Sequence, residues 1–354
     1  MRQLLKIMEE LPSGVDCGII SSGVNRRYFT EFSSSAGVLL ITRYAAYLLV
    51  DFRYYDMAVL RAKGVEVICF KNLYDELEKL FCDLNCRNVA IEISDFTVQI
   101  FNKFKKRFEN INFITDGQLD DVISKLRTTK SAREVEKIKS AQEVTDAAFF
   151  HILNFISPGK TEVDIARELN KFVLSKSDGL SFDTIVASGP NSSFPHATAS
   201  LRKVQKGDFV TMDFGDVVDG YHSDMTRTVC CAKPSDDQKN IYDVVLSGQR
   251  LALEAAKPGV LCCDLDGLVR KYFKKFGFDK EFGHSLGHGV GLDIHEKPFL
   301  SSKEPAMLAD GMVITVEPGL YFKSKYGVRI EDMILVCENG YENLTKSPKE
   351  LICI

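Results

Sequence analysis

The chain has 354 residues, of which 45% are hydrophobic and 27% charged, and its formal net charge is -4. This length exceeds one average domain and favours two. The mildly acidic balance gives no reason to expect nucleic acid or an anionic membrane as a partner, and no apolar run approaches the roughly 18 residues that a membrane helix needs.

The cysteines suggest neither a disulfide framework nor a zinc site. There are ten of them, and none belongs to a CxxC pair. The first residues, MRQLLKIMEELPSG, form an amphipathic start and do not have the pattern of a signal peptide. We therefore expect free thiols in a cytoplasmic protein.

Residues 1–126 are predicted to form an α/β domain. Apolar runs and helical spacing predict a hairpin, two further strands and two helices, at residues 36–41 with 46–50, 65–70, 89–91, 74–84 and 96–108. This part of the chain contains no histidine and no dense cluster of carboxylates. We expect it to have a structural or regulatory role.

A polar segment at residues 126–134, LRTTKSARE, marks the expected boundary between a domain 1–126 and a domain 127–354. Ser131 is followed three residues later by Glu134, which fits a capping box and predicts that a helix begins here. The helix should extend from about residue 132 to 155. Its apolar face would comprise Val135, Ile138, Ala141, Ala148 and Ile152.

The second domain contains an internal repeat with an offset of about one hundred residues. The pattern PG followed by Asp164 recurs as PG followed by Asp264, and each copy precedes a predicted helix. Further on, VTMDFG resembles ITVEPG, and YHSDM parallels VRIED. Each half is predicted to be helices followed by a strand hairpin with two acids, and a pseudo-two-fold arrangement would bring together Asp213, Asp224, Glu317 and Glu331.

In the first of these hairpins, residues 207–228, the turn decides how its two acids are placed. With Asp219 and Gly220 in the loop, Val218 pairs with Tyr221, and Asp224 lies diagonal to Asp213. With the turn one residue earlier, the two acids face each other directly. Both registers put the carboxylates on one face, because side chains alternate along a strand.

Four converging acids carry a severe electrostatic cost unless cations lie between them, so their convergence predicts a metal site. His288, between two glycines in the segment GHSLGHGVG, is the predicted fifth ligand. Carboxylates with one imidazole suit Mn, Co, Fe or Zn. Two such ions would polarise a carbonyl and activate water near neutral pH.

Two other histidines are expected to lie near the site. His196 ends a loop rich in glycine, proline and serine, and His295 lies at the start of another loop. His222 and His284 are weaker candidates, and His151 is expected to be a packing residue of the long helix. The sequence therefore concentrates its imidazoles in the second domain.

These residues resemble the pita-bread metallopeptidases, which include methionine aminopeptidase, aminopeptidase P and prolidase, with creatinase as a non-metal relative. The family's ligands to two metal ions are matched in type, order and approximate spacing by Asp213, Asp224, His288, Glu317 and Glu331. The segments GHGVGLDIHE, EPGLY and VRIED match as well. The first domain, with NRRY and DFRY, resembles the N-terminal domain of the prolidase, aminopeptidase P and creatinase branch.

The resemblance implies a creatinase/prolidase-type α/β domain followed by a pita-bread catalytic domain with duplicated helix-helix-hairpin units. It implies two divalent ions, Mn by preference with Co, Zn or Fe as alternatives. Asp224 and Glu331 would bridge the ions, Asp213 would hold one of them, and His288 with Glu317 would hold the other.

Further roles follow from the same resemblance. Glu317 would also carry a proton, and His196 and His295 would contact the scissile carbonyl. Thr226 could hydrogen-bond the site, and Arg329 would support a ligand or contact the substrate. A homodimer is expected, because members of the family usually assemble.

The implied activity is that of an Xaa-Pro aminopeptidase, which removes the residue before proline from short peptides. Phe182 and Phe194 are candidates for an apolar pocket around the proline ring. The alternative is an Xaa-Pro dipeptidase, or prolidase, which needs a cation for the free proline carboxylate; Arg26, Arg53 and Arg329 are imaginable. A creatinase-like hydrolase and a non-catalytic binding module are more distant alternatives, since all five ligand positions carry competent residues.

Overall fold

The computed structural model describes residues 2–354. The chain divides into two compact units, residues 1–127 and 128–354. Within residues 2–354 no helix is both long and apolar enough to cross a membrane.

The N-terminal unit is built on one six-stranded sheet of order β4-β3-β2-β1-β5-β6. Its helices are α1 (Arg2–Glu9), α2 (Gly23–Thr30), α3 (Phe52–Arg61), α4 (Leu73–Asp83), α5 (Val98–Arg107) and α6 (Gln118–Thr128). Its strands are β1 (Cys17–Ile20), β2 (Val38–Ile41), β3 (Ala46–Asp51), β4 (Glu66–Phe70), β5 (Asn88–Ile91) and β6 (Asn112–Ile114). The predicted hairpin is β2–β3, and the two predicted further strands are β4 and β5.

The C-terminal unit carries four helices and thirteen strands among the described residues. The helices are α7 (Ala132–Leu153), α8 (Glu162–Leu174), α9 (Asp236–Ala255) and α10 (Cys262–Lys274). The strands of the first half are β7 (Gly179–Leu180), β8 (Ile185–Ser188), β9 (Phe209–Phe214), β10 (Asp216–Val218), β11 (Tyr221–His222) and β12 (Met225–Cys230). Those of the second half are β13 (Gly287–Gly289), β14 (Glu296–Leu300), β15 (Val313–Val316), β16 (Gly319–Phe322), β17 (Tyr326–Arg329), β18 (Asp332–Cys337) and β19 (Gly340–Asn343).

Helix α7 begins as the sequence predicts. The Ser131 hydroxyl accepts from the Glu134 backbone N–H, and the Glu134 carboxylate accepts from the Ser131 N–H, so the capping box is formed. All five residues of the predicted apolar face are buried. The helix ends at Leu153, two residues earlier than expected.

The predicted repeat is present in the backbone hydrogen bonds. The N–H of Gly159 donates to the Val204 carbonyl at 2.9 Å, and the N–H of Gly259 donates to the Leu308 carbonyl at 2.8 Å. Each of these turns leads into the second helix of its half, α8 or α10. Both halves therefore place two helices before a strand hairpin.

Each hairpin is interrupted, which the sequence analysis did not anticipate. An inner ladder, β9–β12 or β15–β18, is separated from an outer ladder, β10–β11 or β16–β17. Asp224 was expected on a strand, but it lies in the gap between β11 and β12, and Glu331 lies in the equivalent gap between β17 and β18. Because the backbone at Asp224 and Glu331 is not part of a regular strand pair, the two carboxylates can point toward the same place.

Two apolar clusters support the two halves. One packs α7 and α8 against β8, β9 and β12, through residues such as Phe149, Leu169 and Met212. The other packs α9 and α10 against β15 and β18, through residues such as Val245 and Ile314. Burial of these faces fixes the hairpins relative to their helices.

Candidate metal centre

One cavity of about 440 Å³ gathers the residues that the sequence singled out. All nine predicted site residues line it: Phe182, His196, Asp213, Asp224, His288, His295, Glu317, Arg329 and Glu331. Phe194, the second candidate for an apolar pocket, is not among the lining residues and is 59% exposed. The cavity lies within the C-terminal unit.

The hairpin of the first half adopts the register with Asp219 and Gly220 in its turn. Both turn residues have positive φ, 47° and 75°, as a type I′ turn requires. Val218 pairs with Tyr221, and Asp213 pairs with Thr226. The other register is therefore not formed, and Asp224 is diagonal to Asp213.

His288 presents one ring nitrogen to the acids. Its Nδ1 lies 3.1 Å from the Gly289 carbonyl oxygen, which can only accept a hydrogen bond, so Nδ1 carries the proton. Its Nε2 lies 3.5 Å from Asp224 Oδ2 and 3.5 Å from Glu317 Oε1. The lone pair of Nε2 is thus available to a cation.

The donor atoms are close enough to share an ion. Asp224, His288 and Glu331 are buried, and each offers a ligand atom within 4.8 Å of the other two. The buried oxygens Asp213 Oδ1 and Glu331 Oε1 have no hydrogen-bond partner. Buried carboxylate oxygens normally have partners, so oxygens of this kind fit divalent cations.

The electrostatics of the acids lead to the same conclusion. Burial, followed by repulsion from Glu331, raises the pKa of both Asp224 and Glu317 well above the ordinary value of a carboxylic acid. Burial, followed by repulsion from Asp213, raises the pKa of Glu331 to about 8. Such acids are costly to ionise without a counter-charge, which bound divalent ions would supply.

Thr226 and Arg329 hold two of the acids in place. The Arg329 guanidinium donates from Nη2 to Asp213 Oδ2 at 2.6 Å and from Nε to the Thr226 hydroxyl at 2.9 Å. That hydroxyl donates to Glu331 Oε2 at 2.8 Å, which confirms the expectation that Thr226 hydrogen-bonds the site. These contacts fix one oxygen of Asp213 and one of Glu331 and leave the other oxygen of each without a hydrogen-bond partner.

The sequence analysis missed two supporting side chains. The Thr315 hydroxyl accepts from the His288 backbone N–H at 3.0 Å and lies 3.4 Å from Glu317 Oε1. The Tyr321 hydroxyl accepts from Arg329 at 2.8 Å and lies 3.0 Å from His284 Nε2. Thr315 lies two residues before Glu317, so the alternation of side chains along a strand could have identified it as a neighbour of that acid. No sequence pattern near Tyr321 indicates its contact with Arg329.

The other histidines occupy different parts of the cavity. The rings of His295 and His288 have centroids 4.3 Å apart, so His295 lies against the ring of His288. His196 lies in the loop after the 3-10 turn Gly189–Ser193 and is exposed. His284, a weaker candidate, also lines the cavity. His151 pairs with Glu168 at 2.7 Å and stacks on Phe172 in the first helix pair.

Comparison with known proteins places this site in a family. The profile of metallopeptidase family M24 matches residues 136–338, and that of the creatinase/prolidase N-terminal domain matches residues 1–129. An Xaa-Pro dipeptidase from Pyrococcus furiosus is 37% identical over 354 residues, which cover 99% of this chain and 99% of the relative.

Solved structures agree with this placement. An Xaa-Pro dipeptidase from Bacillus anthracis matches with a TM-score of 0.95 at 39% identity, covering 100% of this chain and 99% of the other. An X-Pro aminopeptidase from Thermotoga maritima gives a TM-score of 0.91 at 35% identity, covering 98% of this chain and 99% of the other.

Fold and site together define a two-domain, metal-dependent hydrolase. The chain belongs to metallopeptidase family M24, with a creatinase/prolidase N-terminal domain and a pita-bread catalytic domain. It is therefore a peptidase whose family uses divalent metal ions. The family resemblance and the fold class expected from the sequence are confirmed.

Proposed function

We propose that the protein hydrolyses the peptide bond between an N-terminal residue and proline in short peptides. The observation that carries this proposal is the convergence of two acids from each half with His288 on one cavity, whose wall also carries Phe182. The names of the relatives, Xaa-Pro dipeptidase and X-Pro aminopeptidase, support the same bond specificity. An apolar wall suits the pyrrolidine ring of proline.

In this proposal residues 127–354 form the catalytic domain and hold two divalent ions, Mn by preference. The ligands would be Asp213, Asp224, His288, Glu317 and Glu331. When bound, the ions would polarise the scissile carbonyl and lower the pKa of water. The oxygens without partners and the repulsion among the acids support this assignment.

The protein side chains would orient the substrate and move the proton. Glu317, next to His288, would carry a proton to the proline nitrogen as the bond breaks. His196 and His295 would donate hydrogen bonds to the carbonyl oxygen as it becomes tetrahedral. Arg329 would keep Asp213 oriented, and Phe182 would contact the proline ring.

The test is hydrolysis of Ala-Pro-Ala, Ala-Pro and Ala-Ala-Ala by purified enzyme with Mn²⁺, compared with enzyme treated with a chelator. We expect release of alanine from at least one proline substrate, loss of activity with the chelator, and much slower cleavage of Ala-Ala-Ala. Equal cleavage of Ala-Ala-Ala would contradict the proline specificity.

Light scattering on the same sample tests the proposed homodimer, and fractionation of cells tests its proposed cytoplasmic location.

A further inference from the structure

Among the described residues that line the cavity, no lysine or arginine side chain is free to pair with a carboxylate of the substrate. These residues include one arginine, Arg329, and no lysine. Arg329 donates to Asp213, Thr226, Tyr321 and the Pro195 carbonyl, at distances of 2.6 to 3.2 Å. Because its positive charge is already paired with Asp213, it is not free to hold a second carboxylate.

Arg26, another cation considered for the proline carboxylate, is also committed. It is buried within the N-terminal unit and donates to the carbonyl oxygens of Ser21 and Ser34. Arg53 pairs with Asp51 at 2.6 Å in the same unit.

Besides the proposed ligands, the lining of the cavity includes three large apolar side chains and one further carboxylate, which together are called the apolar wall here. Phe299 pairs with His288 across β13 and β14, so its ring is on the same face as that ligand, and it is 41% exposed. Phe182 and Ile185 also belong to this apolar wall, and Asp183, which is exposed and adjacent to Phe182 in the chain, lines the same cavity. His284, also in the lining, has a pKa lowered to about 4 by burial, so its ring is neutral at pH 7.

This wall distinguishes two kinds of proline substrate. In a dipeptide Xaa-Pro, the proline ring carries a free carboxylate. With the ring placed against Phe182 and Phe299, as proposed, this carboxylate would lie beside aromatic surface and on the side of the cavity that carries Asp183. Loss of hydration without a cationic partner, together with like-charge repulsion, makes that arrangement unfavourable. In a longer peptide the same carbonyl is a neutral amide, which avoids both costs.

We infer that Phe299 and Asp183 select for peptides that continue beyond proline and against free Xaa-Pro dipeptides. The inference rests on the proposed Xaa-Pro activity and names its substrate class. Phe299 supplies a contact surface with no charge, and Asp183 repels a carboxylate. The enzyme thus acts on Xaa-Pro-Yaa and longer peptides.

The test measures kcat/KM for three substrates that share the same scissile bond: Ala-Pro, Ala-Pro-amide and Ala-Pro-Ala. We expect the amide and the tripeptide to exceed the dipeptide by at least about tenfold, mainly through a lower KM. A dipeptide cleaved as well as its amide would overturn the inference and leave the proposed bond specificity intact. If all three are left uncut by the metal-loaded enzyme, the proposed function itself fails.

Two variants test the assigned side chains. Phe299→Arg should raise the ratio of dipeptide to amide kcat/KM about tenfold, and Asp183→Asn should raise it a few-fold. Leu201→Arg is the matched control, because Leu201 is 79% exposed and outside the cavity, and it should keep the wild-type ratio.

The ratio is insensitive to a general loss of activity, and Asp183→Asn keeps the test valid if Phe299→Arg does not fold. A wild-type ratio in Asp183→Asn and in any folded Phe299→Arg would overturn the assignment of these residues.

Discussion

At the scale of single residues, two of the four acids in the cavity have one oxygen held by a hydrogen bond and the other without a partner. Arg329 holds Asp213, and Thr226 holds Glu331, while the other oxygen of each acid is buried without a partner. If these acids are ligands, as proposed, holding them in place before an ion binds would reduce the entropy that binding must overcome. His196 is exposed and has no such hydrogen bond, which is compatible with its proposed contact with the substrate.

Glu331 and His196 should therefore respond differently to replacement by alanine. We expect Glu331→Ala to lower turnover at least about 100-fold and to lose bound metal. We expect His196→Ala to lower turnover about 100-fold while keeping its metal, because it would remove only a hydrogen-bond donor to the substrate. Metal analysis of the purified variants, together with Ala-Pro-Ala hydrolysis, checks both outcomes.

Asp236→Ala is a suitable control for both variants, because its side chain is 98% exposed at the start of α9. It should match wild type in turnover and metal content. Near-wild-type turnover in Glu331→Ala would reject its assignment as a ligand. Loss of metal from His196→Ala would show that His196 is a ligand instead.

Asp216 is a buried acid outside the proposed ligand set, and it should make stability depend on pH. Its Oδ2 accepts from the Thr145 hydroxyl at 2.9 Å, and its Oδ1 has no partner. Burial raises the pKa of Asp216 to about 7, and Asp178 adds repulsion, while Thr145 and Ser223 oppose the shift. The folded protein therefore binds a proton that the unfolded chain releases above about pH 4.

A carboxyl group with a raised pKa stabilises the fold at low pH, and this contribution is lost as the pH rises to about 7. Relative to wild type, Asp216→Asn should gain roughly 4 kcal/mol in free energy of unfolding between pH 4 and pH 8. Denaturant unfolding of both proteins with the metal chelated measures the difference, and Asp236→Asn serves as the exposed control. A difference that does not change with pH would contradict the assigned pKa.

At the scale of elements, sequence patterns correctly predicted those helix starts and turns that depend only on residues close to each other in the chain. The capping box at Ser131 and the turn at Asp219 and Gly220 are set by neighbouring residues, and both formed. Helix α3 was missed by the sequence analysis; only Ala58 in it is buried, and its large apolar side chains Phe52, Val59 and Leu60 are exposed, so they do not mark a face packed on the core. Repetition of acids at matched positions revealed the ligand candidates, whereas the contact of Tyr321 with Arg329 depends on how β16 and β17 pair.

The close approach of backbone at two glycines near the site could not be predicted from the sequence. A Cβ at Gly215 would lie 2.0 Å from the Ser223 carbonyl oxygen, and a Cβ at Gly287 would lie 2.1 Å from the Thr315 carbonyl oxygen. Neither glycine has the positive φ that would explain its identity from backbone conformation. Both are required by space, which only the folded arrangement defines.

Gly287→Ala should therefore separate β13 from β15 and displace His288. We expect a loss of about 1–3 kcal/mol in free energy of unfolding and a weaker affinity for Mn²⁺. Gly283→Ala is the matched control in the same segment, because a Cβ there would meet no atom within 4 Å. Denaturant unfolding and metal titration of both variants compare them, and equal behaviour would reject the spatial explanation.

At the scale of the whole molecule, the duplication distributes the site over two half-units. The first half supplies Asp213 and Asp224, and the second supplies His288, Glu317 and Glu331. Each half has its own apolar cluster. Without cations the two hairpins repel each other through their acids, so ions at this position would also join the halves of the C-terminal unit.

Mn²⁺ should accordingly stabilise the wild-type chain against unfolding, by about 2.7 kcal/mol at a free concentration 100 times the dissociation constant. Glu331→Ala should show little of this stabilisation, because one link between the halves is gone. In the absence of metal, however, this variant should be at least as stable as wild type, since a buried carboxylate has been removed from a repelling cluster. Unfolding curves of both proteins with Mn²⁺ and with chelator measure all four states. Equal stabilisation of the variant by Mn²⁺ would mean that the ion binds elsewhere, and a large loss of stability without metal would mean that Glu331 supports the fold rather than the ion.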